Sequence, residues 1–359
     1  MKISRIQLFW MLFSMEIGMT TLLTIGPTFK EAKQGAWLAM LLAAFASLFI
    51  TYIATQLSLL YPRQTLVEFA PKIIGRWLGR LIVFTYLLVW YTVAGLILRE
   101  YADFVHLALF SSTPLWVIIL LMLLVMIYAV YGGIHIVGRC SEIIGPFILL
   151  SIIMITILSF PDLKFMRLLP LLHSNGVMPI IKGSLGATSF MGESIMIMML
   201  IAFVSDKSKV NPPILWGVGL ASLFLVSGTM NVLMVLGKEV PAKLPYPIYT
   251  FIQYTSVMEF IQNIDVLAVI VTIFSIFIKL CLYMFLTSYG MAQLFQIKNW
   301  RKVVWGSALL IFVISILPRN MVESQVIFPE IWKNYVLPIY ILGIPLMLWL
   351  IGAVRRKFS

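Results

Sequence analysis

Charge is scarce in this 359-residue chain. Asp, Glu, Lys and Arg make up 11% of it, against 61% apolar residues and a mean hydropathy of +1.02. An average soluble domain carries about 25% charged residues. Burial rises only slowly with chain length, so a water-soluble globule cannot hide this much apolar surface. Soluble enzymes, nucleic-acid modules and disordered proteins are excluded on that ground, and a bilayer is the solvent that fits. Cysteine is equally rare: Cys140 and Cys281 cannot form a disulfide framework, and both sit in or beside apolar runs as small buried residues. The three histidines, His106, His135 and His173, fall in different loops or span ends. No His, Cys, Asp or Glu grouping has metal-ligand spacing, and there is no Ser/His/Asp arrangement or phosphate-cradling Gly loop. No metal, cofactor or enzymatic activity is expected.

Long apolar runs are what the chain has instead. A membrane-crossing helix needs about 20 mostly apolar residues. Runs free of Asp, Glu, Lys and Arg cover 36–61, 81–98, 107–134, 143–161, 210–237 and 334–354, with a shorter one at 303–318. Three further spans hold one charge each: 6–29 with Glu16, 183–205 with Glu193, and 266–297 with Lys279. The sum is ten spans. The basic N-terminus before an apolar run resembles a signal peptide, but a small-residue cleavage site is lacking and an uncleaved first span is expected.

An even span number places both termini on one side. With that side cytoplasmic, fifteen Lys and Arg lie inside and ten outside, so the positive-inside rule places both termini in the cytoplasm. The net charge of +12 then belongs to inner loops and anionic lipid, not to nucleic acid. Segment 64–80 is expected to lie on the inner surface as an amphipathic helix, with Leu66, Phe69, Ile73, Ile74, Trp77 and Leu78 toward lipid. The longest outer connection, 238–265, is expected to hold a short helix carrying Phe251, Ile252, Tyr254, Val257 and Phe260. Neither loop can house a separate enzyme, so residues 1–359 form a single transmembrane domain.

Charges at membrane depth are costly and mark either structural pairs or substrate and ion pathways. Glu16 follows Arg5 by eleven residues, about 16 Å along a helix, and Lys279 follows Asp265 by about 21 Å. Both acids sit in stretches rich in Gly and hydroxyls, Ser14-Met-Glu-Ile-Gly-Met-Thr-Thr21 and Thr188-Ser-Phe-Met-Gly-Glu-Ser194. Helices can unwind there, and freed backbone groups at that depth are tolerated only where they line a cavity. The two stretches are 177 residues apart, about half the chain, in spans one and six. Matching interruptions in two five-span halves, about 6–161 and 176–354, point to an inverted repeat with its site at the interface. Tyr91 and Tyr283 read as packed aromatics or as contacts of that site. Arg139 and Glu142 read as a structural pair.

The opening span followed by Gly35-Ala-Trp37, then Pro62-Arg-Gln-Thr65 with Glu68, Ile74-Gly-Arg-Trp-Leu-Gly-Arg80, Arg139-Cys-Ser-Glu142, Gly192-Glu193, Tyr246-Pro247, Asp265 and Phe277-Ile-Lys279 together carry a resemblance. The chain resembles the B subunit of Ger-type spore germinant receptors, in the spore-permease branch of the amino acid–polyamine–organocation superfamily. One departure is Gln262-Asn-Ile-Asp265, where an Arg is expected before the Ile-Asp. The resemblance implies an all-α integral membrane fold of ten helices in a five-plus-five inverted repeat, with helices 1 and 6 interrupted. It implies residence in the spore inner membrane, partnership with an A subunit and a lipoprotein C subunit, and binding of a small germinant, an amino acid or sugar. The expected lining of that central site is Glu16, Ile17, Gly18, Thr20, Tyr91, Phe190, Gly192, Glu193, Lys279 and Tyr283. A cation- or proton-coupled amino acid transporter on the same architecture is the alternative. A membrane scaffold, the third reading, predicts that neutral residues are tolerated at positions 16, 193 and 279.

Overall fold

Lipid offers no water to unpaired backbone groups, so a chain this apolar must close its hydrogen bonds within each segment. The computed structural model, which describes residues 1–169, 176–207, 209–255 and 264–358, is built of helices. The only β feature among the described residues is an isolated bridge between Ile3 and Val204. In chain order the helices are α1 (Arg5–Ala32), α2 (Ala36–Leu60), α3 (Leu66–Ile74), α4 (Arg76–Ala108), α5 (Leu115–Gly132), α6 (Ile134–Leu158) and α7 (Met178–Met191). A 3₁₀ run (Gly192–Met196) leads to a single turn, α8 (Ile197–Leu200). Then come α9 (Asn211–Leu236), α10 (Pro247–Tyr254), α11 (Ile264–Leu294), α12 (Trp300–Ile316), α13 (Phe328–Ile331) and α14 (Ile344–Phe358). Two π-helical segments, Glu323–Ile327 and Trp332–Gly343, flank α13.

Among the described residues, eight helical stretches are long and apolar enough to cross a membrane. The expectation of ten differs from this in two places. Residues Arg5–Leu60 form one stretch of 56 residues, about 84 Å of helix against a hydrocarbon core of about 30 Å. It is broken only by the 3₁₀ turn Lys33–Gly35, where Lys33 takes φ +48°. α12 has 17 residues, the short end of the spanning range.

α1 begins in a capping box: the Gln7 amide donates to Ser4 Oγ at 3.0 Å, and the Ser4 amide donates to Gln7 Oε1 at 2.9 Å. The helix runs through the middle of the bundle, packed against α6, α7, α9 and α11. α11 in turn contacts α4, α6 and α12. These contacts bury α1 along most of its length, which is what places Glu16 in the interior.

Two local expectations are corrected and a third is met. The apolar face of α3 turns inward: Leu66, Phe69 and Ile73 are buried against the bundle, and only Trp77 and Leu78 of the expected lipid-facing set are exposed. The cause is Gly75, whose φ of +94° ends α3 and turns the chain at once into α4. α3 thereby closes over the ends of α4 and α14. Glu142 does not pair with Arg139 but accepts from Gln7 Nε2 at 3.1 Å, which ties α6 to the start of α1. The short helix in 238–265 is present as α10, with Phe251 and Ile252 buried and Tyr254 exposed. Val257, Phe260, Gln262 and His173 lie outside the described residues.

Gly79, in the first turn of α4, is where α3 crosses it. A Cβ there would overlap the backbone of Pro71 and come 2.7 Å from the Ala70 carbonyl carbon. Gly79→Ala gains about 1 kcal/mol of helix propensity, but overpacking against rigid backbone costs about 1–3 kcal/mol. The expected result is a thermal midpoint lowered by a few degrees in purified protein, and an unchanged or raised midpoint would contradict this packing.

Candidate functional site

Glu193 follows the end of α7, where the helix tightens. α7 ends at Met191, and Gly192–Met196 continues as 3₁₀, presenting Glu193 to the interior. Gly192 lets the π-helical segment approach: a Cβ at that position would sit 2.5 Å from Ile341 Cγ2. Glu193 Oε2 lies 2.7 Å from Lys279 Nζ of α11, with the two side chains 4% and 0% exposed. The contact is an ion pair without the angles of a directed hydrogen bond, so both groups keep bonding capacity.

Glu16 is 1% exposed, and neither of its carboxyl oxygens has a hydrogen-bond partner among the described residues. It lies within Coulombic range of both Lys279 and Glu193. Tyr283, one turn beyond Lys279, stands beside Glu193 and Glu16, and its buried hydroxyl is also unpartnered. The structure therefore brings Glu16, Glu193, Lys279 and Tyr283 together from three elements. Thr20 stands one turn from Glu16, fully buried, with its hydroxyl unpartnered. Among the described residues no group of three His, Cys, Asp or Glu side chains is placed to hold a metal ion.

The expected break in helix 1 is corrected. α1 is continuous through Glu16 and Gly18. What opens is one rung of its ladder. The Gly18 amide donates to Ser275 Oγ at 2.6 Å, and that hydroxyl donates to the Ser14 carbonyl. Ser14 and Gly18 are an i, i+4 pair, so a hydroxyl from α11 has inserted into the helix at their hydrogen bond. Gly18 is required for this, because a Cβ would meet Ser275 Oγ at 2.7 Å. The backbone groups are thus spoken for by α11 and are not left free by unwinding.

The remaining expected residues separate. Tyr91 is buried with its hydroxyl 2.6 Å from Ser307 Oγ of α12, a packing bond. Ile17 and Gly18 line an apolar cavity of about 80 Å³ between α1, α6, α9 and α11, walled also by Asn231 and Thr272. Phe190 borders Glu193 in a second cavity of about 30 Å³, with Glu100 and Trp332. Glu193 and Tyr283 also border a space of about 10 Å³, with Trp332 and Tyr340. A larger cavity, about 230 Å³, is a vestibule rimmed by Lys30, Glu31, Lys182, Glu330 and Lys333. Sequence reasoning missed Ser275, Trp332 and Glu100. Only Glu100 left a signal, in the charged run Arg99-Glu100 with Asp103 at the end of an apolar span.

A buried acid–base pair inside a helical bundle suits a transporter-type scaffold, and comparison with known proteins agrees. The profile of the family described as spore germination protein matches residues 2–324. The chain belongs to the spore germination protein family. It is 27% identical to spore germination protein KB of Bacillus subtilis (strain 168), covering 99% of this chain and 96% of that one. It is 23% identical to YndE of the same organism, over 93% and 92% of the two chains. Identity to GerQB of Bacillus cereus is likewise 23%, over 99% and 97%. Among solved structures it resembles Mhp1, a nucleobase-cation-symport-1 family transporter in a closed conformation with bromovinylhydantoin bound. The TM-score is 0.70 at 11% identity, covering 94% of this chain and 78% of that one. It also resembles MhsT in complex with L-phenylalanine, with a TM-score of 0.65 at 13% identity, over 98% and 100%. The fold is thus that of these transporters. Family and apolar helices together make this a multi-pass membrane germination protein rather than an enzyme.

Removing one partner of a buried ion pair strands the other, at about 3–5 kcal/mol, whereas replacing both is far milder. Lys279→Met is expected to cut membrane abundance sharply, because it leaves Glu193 and Glu16 without a counter-charge. Glu193→Gln combined with Lys279→Met should restore abundance substantially, as read by quantitative immunoblot and thermal shift. Equal loss in the single and double variants would mean that the pair is not coupled as its 2.7 Å separation requires.

Proposed function

We propose that this chain is the B subunit of a Ger-type germinant receptor. It spans the spore inner membrane ten times, with both termini cytoplasmic, and works with an A subunit and a lipoprotein C subunit. Its halves, about 6–161 and 176–354, form an inverted repeat, and a small nutrient binds where spans one and six meet. Binding triggers germination.

The observation that supports this reading is the convergence of Glu16, Glu193 and Lys279. With all three ionised, two acids face one ammonium, and a negative charge is left over where an unbalanced charge is costly. The ammonium of an amino acid supplies the missing charge, with Tyr283 and Thr20 as hydroxyl partners. A sugar would leave that charge unanswered, so the amino acid is the better fit. The space beside Glu193, about 30 and 10 Å³ in two parts, holds only a few water-sized groups. Binding therefore requires the site to open, and Trp332, which borders both parts, has to move. The transporter fold favours one second reading, a coupled amino acid transporter.

Glu16→Gln tests the site without breaking the Glu193–Lys279 pair. A hydrogen bond to a charged group is worth about 1.5–3 kcal/mol, so the variant should need roughly 10–100-fold more amino acid for half-maximal binding. Binding would be measured by screening amino acids, sugars and nucleosides against purified protein by thermal shift. Glu16→Asp should retain most of the affinity. Unchanged affinity in Glu16→Gln would remove Glu16 from the site. Sustained accumulation of a labelled amino acid in proteoliposomes would replace the receptor reading with the transporter.

A further inference from the structure

A second buried acid stands apart from the central cluster. Glu100 of α4 is 1% exposed, and its carboxyl borders the cavity of about 30 Å³ that Glu193 borders from the other side. Gln325 Nε2 donates to Glu100 Oε2 at 3.0 Å, while Oε1 has no hydrogen-bond partner among the described residues. The adjacent Arg99 is within Coulombic range of Glu100 but makes no ion pair with it. It is turned to Asp103, with Nε 3.0 Å from Oδ2, and Nη1 donates to the Pro318 carbonyl at 2.6 Å. Tyr246 lies beside Glu100 and Gln325, and burial raises its phenol above the ordinary value, so it remains a neutral donor. Its buried hydroxyl has no hydrogen-bond partner among the described residues. Ser324, the neighbour of Gln325, lines the same cavity.

The Glu100 carboxylate and the Ser324 residue thus border a space with room for about two water-sized groups, and the Gln325 amide and the Tyr246 phenol stand beside the carboxylate. The donors that touch Glu100 are neutral, and an ionised carboxylate buried without a direct ion pair is costly. We propose that Glu100 is a second cation subsite, selective for a small monovalent group such as a primary ammonium. It lies between the vestibule and Glu193: the vestibule shares Leu23, Gln325 and Pro329 with the elements that form the subsite. A cation passing from the vestibule toward Glu193 would rest at Glu100 on the way. This holds whatever the central site binds.

Methylammonium chloride is the probe, titrated against the purified full chain in nanodiscs, with choline chloride at matched ionic strength as the oversized control. Methylammonium should raise the thermal midpoint saturably, by about 2–4 °C near saturation, and choline should not. The rise should persist in Glu193→Gln combined with Lys279→Met, which removes the central pair. It should disappear in Glu100→Gln and survive, at weaker affinity, in Glu100→Asp, which also reports that the fold tolerates change at this position. A rise of equal size and midpoint in Glu100→Gln would overturn the assignment. So would no rise in the unaltered chain, since Glu100 would then be satisfied by a proton.

Discussion

The arrangement of the bundle depends on how three charges are held in a medium that cannot solvate them. Lys279 has its ammonium 2.7 Å from Glu193 and within Coulombic range of Glu16. That geometry needs α1, the Gly192–Met196 turn and α11 to meet at one depth. If α11 were displaced by a turn, about 5.4 Å, both acids would lose their counter-charge together. The pair therefore fixes the register of the central helices more strictly than the surrounding apolar packing, which is non-directional. The 3₁₀ run contributes by aiming Glu193 inward where a continuous α-helix would turn the side chain elsewhere.

Much of this was legible in the sequence because lipid makes charge conspicuous. A lone Glu or Lys in a run of more than 20 apolar residues has few structural options, so Glu16, Glu193 and Lys279 could be picked out and their convergence anticipated. The interruption after α7 was legible for the same kind of reason, since Gly192 and its hydroxyl neighbours favour local unwinding. The first rod shows the limit. Its Gly18 and hydroxyls read alike, yet the helix continues without unwinding, its one opened rung bridged by the Ser275 hydroxyl between Ser14 and Gly18. That bridge spans more than 250 positions of chain, and no local pattern announces it. The inward face of α3 is a similar case. Amphipathicity reveals that a face is apolar, but protein and lipid satisfy it equally well, and only the turn at Gly75 decides between them.

Two kinds of helix distortion surround the acids, and they act differently. At Gly18 the distortion is repaired by a side chain from α11, so that helix and its neighbour are locked together. At Trp332–Gly343 the chain is wound as a π-helix, and a hydroxyl from α4, that of Tyr86, donates to its Tyr340 carbonyl. π-helical turns are rare and concentrate at functional sites. This one carries Trp332, Val336, Tyr340 and Ile341, which form one wall of the space against Glu193 and Tyr283. Ile341 reaches that position only because residue 192 has no side chain.

The consequence is an asymmetry in what can move. The α1–α11 side of the site is tied by the Ser275 bridge and, through Lys279, by charge. The opposite wall is held by packing contacts and by one neutral hydrogen bond. The aromatic contact of Tyr340 with Tyr86, 5.3 Å between ring centroids, and the Tyr86 hydroxyl donating to the Tyr340 carbonyl at 2.5 Å are its main fastenings to α4. Neither involves a full charge, so both gain less from the absence of water than the ion pair does. Enlarging the space beside Glu193 is therefore cheapest by shifting the π-helical segment away from α4 and the 3₁₀ turn, with the acids and Lys279 staying in place as the fixed half of the site.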